Sequence, residues 1–168
     1  GDFPHPWREW NDRYRDSVRQ FWLGDLARGY GEGVADIAAG ISGSSDVFYY
    51  RGPTSSINFV TAHDGFTLAD LVMYSNKRNE ANQEDNRDGS NENRSWNMGV
   101  EGISEDAELI ALRHSLKKSI MATLLLSAGV PMITMGDELC RTQAGSNNAY
   151  SMPRDMTPTI ADSPETFM

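Results

Sequence analysis

The residues in this sequence best suited to chemistry are His63 and Asp64, which follow the apolar run 57–62. A carboxylate beside an imidazole can hydrogen-bond a polyhydroxylated ligand and can stabilise positive charge that develops during a reaction. The alternative is structural, because an Asp that precedes a Gly often caps a turn, and Gly65 comes next. Sequence position alone favours the turn cap.

A second apolar run, 130–135, ends in the same way, with Asp137 and Glu138 close behind it. Both runs predict short buried strands, and Met135 is expected in the core. Between them, an apolar stripe over 109–125 predicts a long helix that starts around Ser104. Strands joined through a helix are typically parallel, with chemistry at their carboxyl ends. The two polar pairs are therefore expected at one rim.

Further helices are predicted on either side of the first run. Trp10, Tyr14 and Trp22 recur at helical spacing, which predicts an amphipathic helix with both tryptophans in the core. Shorter helices are predicted around 34–41 and 66–74. The sequence therefore alternates between strands and helices, which is typical of an α/β fold.

The segment 76–102 is nearly devoid of aliphatic side chains and predicts a long polar loop. Its acidic run invites comparison with a calcium-binding loop, but Ser95 stands where a bidentate Glu is required. Metal-dependent phosphohydrolases also use adjacent His and Asp, yet the only other histidines are His5 and His114. We expect no metal site and no cofactor. Trp96, within the loop, is a candidate for stacking on a sugar ring.

The amino-acid composition limits the classes of molecule that this protein is expected to bind. The net charge is −9, from 15 basic and 24 acidic side chains, which argues against nucleic acid and against anionic membranes. The longest apolar stretch, 121–135, is too short to span a bilayer. Cys140 is the only cysteine, so no internal disulfide forms and a cytoplasmic location is expected. A neutral polysaccharide is compatible with all of these features.

An ordered series of motifs extends through residues 1–150, at 7–16, 56–68, 79–82, 85–89, 95–97, 99–102, 129–132, 136–138 and 147–150. Together these motifs resemble the bacterial glycogen-debranching and isoamylase group of the α-amylase superfamily. For residues 1–150, the resemblance implies an α/β fold that is an incomplete (β/α)8 TIM barrel of roughly the last three βα units. The tail 151–168 lies outside the resemblance and is expected to be irregular.

The resemblance also implies a function, which is retaining hydrolysis of α-1,6 branch linkages in glycogen or starch-type glucans. Asp64 takes the role of the carboxylate that stabilises the transition state, and His63 an adjoining sugar contact, so the resemblance overturns the turn cap. The nucleophile and acid/base would precede Gly1, which makes the isolated chain inactive by expectation. The expected substrate-binding residues are Trp96, Glu138, Arg141, Asn147 and Asn148.

Two alternatives to a catalytic segment remain at this point. One is a non-catalytic glucan-binding fragment that uses the polar loop and Trp96. The other is the metal phosphohydrolase, which the scarcity of histidine disfavours. An incomplete barrel also has open strand edges, so self-association is expected.

Overall fold

Short strands alternate with helices in the computed structural model, which describes residues 3–25, 33–151 and 159–160. The strands are β1 (Glu9–Asn11), β2 (Ser56–Asn58), β3 (Val130–Pro131), β4 (Arg141–Thr142) and β5 (Thr159–Ile160). The α-helices are α1 (Asp12–Arg19), α2 (Val34–Ile41), α3 (Ser45–Phe48), α4 (Leu68–Leu71) and α5 (Ala107–Leu126). A π-helical segment, Gln20–Asp25, continues α1, and 3-10 turns lie at Pro53–Ser55, Glu80–Asn82, Asp137–Leu139 and Ala149–Ser151.

The chain divides into two compact units. The first comprises Gly1–Val60 and Ser119–Ile133, and the second comprises Thr61–Lys118 and Thr134–Met168. In the first unit, β1, β2 and β3 form a parallel sheet in that order. Parallel neighbours require crossover connections, which α1, α2 and α3 supply between β1 and β2. The predicted mixed α/β class and the parallel strands are therefore confirmed.

The core of the first unit forms where α1 meets the carboxyl half of α5. Tyr14, Ile120 and Leu124 are buried there. The Tyr14 hydroxyl lies 3.1 Å from the carbonyl oxygen of Thr123 and 2.8 Å from Ser127 Oγ. Burial raises the pKa of Tyr14 to about 12, and the hydrogen bond between Tyr14 and Ser127 offsets part of that rise. The buried hydroxyl thus remains a neutral, hydrogen-bonded group at ordinary pH.

The prediction that Trp10 lies in a helix and is buried is wrong. Trp10 lies in β1, its side chain is 50% exposed, and its ring packs on Phe59 at a centroid distance of 5.4 Å. The helix begins only after Asn11, whose side-chain oxygen accepts a hydrogen bond from the Tyr14 N–H at 3.0 Å. Capping and strand pairing thus override the helical spacing of the aromatic residues. Trp22 is part-buried.

Three further apolar expectations differ from the structure. Met135 is 86% exposed, because β3 ends at Pro131 and the chain leaves the sheet before it. Leu112 and Leu125 lie in the predicted helical stripe but are exposed on α5, which is apolar on more than one face. The helix also starts later than expected, since the Asp106 carboxylate accepts the N–H of Glu108 at 2.9 Å and so caps it.

In the second unit, a long irregular segment replaces regular structure, as the polar composition of 76–102 predicts. Arg113 on α5 anchors its end by donating to the carbonyl oxygens of Gly102 at 2.6 Å and Asn97 at 3.0 Å. The helix expected over 66–74 is confined to α4, and β4 pairs antiparallel with β5. Within the described ranges, no helix combines the length and apolarity needed to cross a membrane.

Candidate active site

The side chains of His63 and Asp64 face solvent, with exposed fractions of 75% and 77%. His63 Nε2 lies 3.4 Å from Asp64 Oδ2, and because both side chains are exposed, water weakens the interaction between them. Among the described residues, no backbone N–H donates to the Asp64 carboxylate, so this side chain does not cap the turn that follows it. An exposed carboxylate with free acceptor sites is suited to contact a ligand.

The turn that carries this pair is fixed through its main chain. Gly65 has a φ of +97°, a conformation that side chains with a Cβ rarely adopt. Its N–H donates to the carbonyl oxygen of Asn147 at 2.9 Å, and Asp64 forms an isolated antiparallel bridge with Asn148. The backbone around 147–148 therefore sets the position of the Asp64 turn.

Asn147 is held in turn by the polar loop. Its Nδ2 donates to the carbonyl oxygen of Ser90 at 2.7 Å and to Asn93 Oδ1 at 2.8 Å, and its Oδ1 accepts from Asn79 Nδ2 at 2.8 Å. Its own N–H donates to Asn79 Oδ1 at 3.0 Å. Because the side chain is buried with these partners, it fixes the main chain beside Asp64 instead of presenting an amide to solvent.

Asp88 is the carboxylate of the polar loop that contacts this region. Its Oδ2 accepts from Asn82 Nδ2 at 2.8 Å and from Asn148 Nδ2 at 2.9 Å. The hydrogen bond from Asn82, together with that from Asn148, holds the pKa of Asp88 below its ordinary value. Throughout the part of the chain that the structure describes, no three His, Cys, Asp or Glu side chains are arranged to hold a metal ion.

Two buried carboxylates, Asp137 and Asp70, bind chain segments that flank the site, and the sequence did not indicate these contacts. Asp137 accepts from the Thr61 hydroxyl and from the Leu68 N–H at 3.1 Å. Asp70 accepts from the Thr142 hydroxyl and from the Gln143 N–H, the latter at 2.8 Å. Burial raises the pKa of Asp137, and it raises that of Asp70 to about 6.

The remaining expected substrate contacts lie in their own local surroundings. Trp96 is part-buried, and its backbone N–H donates to the carbonyl oxygen of Leu71, the last residue of α4, at 3.0 Å. Glu138 Oε2 accepts from the Gly136 N–H at 2.8 Å, and Arg141 donates to Gln143 Oε1 at 2.8 Å. In the described ranges, no hydrogen bond from these side chains reaches the imidazole–carboxylate pair. Their contact with substrate remains a prediction.

Comparison with known proteins identifies relatives over nearly the whole chain. The chain is 50% identical over 159 residues to the "Glycogen operon protein GlgX homolog" of Mycobacterium bovis, covering 94% of this chain and 21% of that protein. It is 48% identical over 159 residues to the "Glycogen debranching enzyme" of Enterobacter sp. strain 638, covering 94% and 23%. It is 50% identical over 160 residues to the protein of the same name from Escherichia fergusonii, again covering 94% and 23%.

The chain thus spans less than a quarter of the length of the curated relatives it matches. No protein-family model matches it. The resemblance to the glycogen-debranching group that the motifs indicate is confirmed.

Proposed function

We propose that this chain, which is about 50% identical to bacterial proteins named as GlgX homologue or glycogen debranching enzyme, forms one side of a debranching active site. The proposed reaction is retaining hydrolysis of α-1,6 linkages in glycogen or a related α-glucan. Asp64 stabilises the transition state, and His63 contacts a sugar hydroxyl. The observation that carries the proposal is the exposed Asp64 carboxylate on a turn fixed by its backbone.

The physical basis is the charge of the transition state. Cleavage of a glycosidic bond passes through an oxocarbenium-like state, which a nearby carboxylate stabilises electrostatically. A retaining enzyme also needs a nucleophile and an acid/base, two carboxyl groups about 5–5.5 Å apart. We assign neither role to a residue of this chain, so the isolated chain is expected not to hydrolyse α-1,6 linkages.

The fold is proposed to be an incomplete (β/α)8 barrel. The parallel order β1-β2-β3 with helical connections supports three adjacent barrel strands. A closed barrel of this kind takes about 250 residues, whereas this chain has 168. In barrel enzymes the catalytic groups follow the carboxyl ends of strands, as His63 and Asp64 follow β2 in sequence.

A segment exchange tests the proposal. A hybrid protein is made in which this chain replaces the matching segment of the Enterobacter debranching enzyme, and release of reducing ends from a glycogen limit dextrin is measured. We expect the hybrid to cleave the dextrin and the 168-residue chain to be inactive. An inactive but folded hybrid contradicts the proposal, and so does cleavage by the chain alone. Glucan binding by the chain together with an inactive hybrid supports the binding-fragment alternative instead.

A further inference from the structure

The two acids that follow β3 have different surroundings. Glu138 is exposed, whereas the Asp137 side chain is 2% exposed and lies against both ends of the segment 61–68, which carries the candidate catalytic pair. One carboxylate oxygen, Oδ2, accepts from the Thr61 hydroxyl, and the other, Oδ1, accepts from the Leu68 N–H at 3.1 Å. A single carboxylate thus links the two ends of the segment 61–68.

The main chain of Asp137 is itself held by hydrogen bonds to its neighbours in sequence. The Asp137 N–H donates to the carbonyl oxygen of Thr134 at 3.1 Å, and its carbonyl oxygen accepts from the Cys140 N–H at 3.0 Å. The preceding Gly136 has a φ of +97°, and a Cβ there would lie 2.8 Å from Arg141 Cδ. Thr134 Oγ1 is also 3.1 Å from Thr61 Oγ1, which adds a second hydrogen bond at the same end of the segment.

We propose that Asp137 is a positioning residue that holds the 61–68 segment so that Asp64 meets the sugar ring at the required distance; this rests on the role proposed for Asp64. Asp137 does not touch substrate, because its carboxylate is buried and bonded at both oxygens. Catalytic groups must be held to within about 0.5 Å. A displacement of about 1 Å can lower a rate about 100-fold.

The variants Asp137→Ala and Asp137→Asn separate position from charge. Alanine removes both links. Asparagine retains them, because its Oδ1 accepts from the Leu68 N–H while its Nδ2 donates to Thr61 Oγ1, whose own hydrogen turns to Thr134. In the active hybrid we expect Asp137→Ala to lower kcat about 100-fold with KM changed less than about 3-fold. Asp137→Asn should remain within about 10-fold of the unaltered hybrid.

A second measurement uses the 168-residue chain and is independent of activity. Asp137→Ala should speed hydrogen exchange at the Gly65 and Leu68 amides and leave the amides of α5 unchanged, whereas Asp137→Asn should change neither set. Should Asp137→Ala fail to fold, Thr61→Val removes one link alone and is expected to speed exchange at Gly65.

The outcomes for Asp137 and for Asp64 are distinguishable. An inactive unaltered hybrid contradicts the proposed function. The hydrogen-exchange experiment then still decides whether Asp137 holds the segment 61–68 in place. Unaltered kcat in Asp137→Ala overturns the positioning role. Equal losses in the Ala and Asn variants also overturn it, because charge would then matter and position would not. A rise in KM that parallels the fall in kcat also overturns it, because the variant would then have lost substrate binding as well as transition-state stabilisation.

Discussion

Replacing Asp70 by Asn should make the chain more stable at neutral pH. Asp70 is fully buried on α4, and burial raises its pKa from 3.8 to about 6 although Thr142 and the Gln143 N–H both donate to it. The folded state therefore binds a proton more tightly than the unfolded chain. Stability contributed by the protonated carboxyl is present below pH 3.8, falls as the pH rises, and is lost above about 6.

The size of the effect follows from this shift. A rise of about 2 pKa units corresponds to about 3 kcal/mol of unfolding free energy at pH 7.5. Asparagine keeps an acceptor for the Gln143 N–H and does not ionise. Asp70→Asn should exceed the unaltered chain in stability by about 3 kcal/mol at pH 7.5, narrowing to about 1 kcal/mol at pH 4.5.

Urea denaturation at both pH values measures this difference. Asp36→Asn, on the exposed surface of α2, is the matched control for losing one negative charge. The reasoning is refuted if the advantage of Asp70→Asn is the same at both pH values, or if the variant is less stable at pH 7.5.

Two further predictions concern the first unit. Tyr14→Phe should lower the unfolding free energy by about 1 kcal/mol, because the buried hydroxyl loses its bonds to Thr123 and Ser127. Tyr50→Phe, at a residue that is 95% exposed, should have no effect, and urea denaturation compares the two variants. Within the described residues, β1 and β3 each pair on one side only, so the chain should self-associate through these edges, and a monomer at all concentrations by sedimentation would contradict this.

Much of the fold was predictable from sequence, because its signals are local. The apolar runs placed β2 and β3, the stripe over 109–125 placed α5, and the linking helix implied parallel strands. The strands are shorter than the runs, since strand pairing ends before apolar composition does. Trp10 was misplaced because its helical spacing continues across the boundary that the Asn11 cap creates.

The supports of the candidate site were less predictable, because their partners lie far away in sequence. Thr67 and Asp70 have the spacing of a helix cap, and the Thr67 hydroxyl does accept the Asp70 N–H at 3.1 Å. Nothing local indicates that the same carboxylate binds Thr142, or that Asp137 binds Thr61. Such pairings arise only when the chain folds.

The effect of Asp64→Asn on kcat in the hybrid, measured at saturating limit dextrin, tests the role of this carboxylate most directly. Asp85→Asn, at an exposed carboxylate of the polar loop, is the matched control. If Asp64 stabilises a cationic sugar, its replacement should lower kcat at least about 100-fold while KM changes little. A kcat equal to that of the Asp85→Asn control would show that Asp64 has no part in the chemistry.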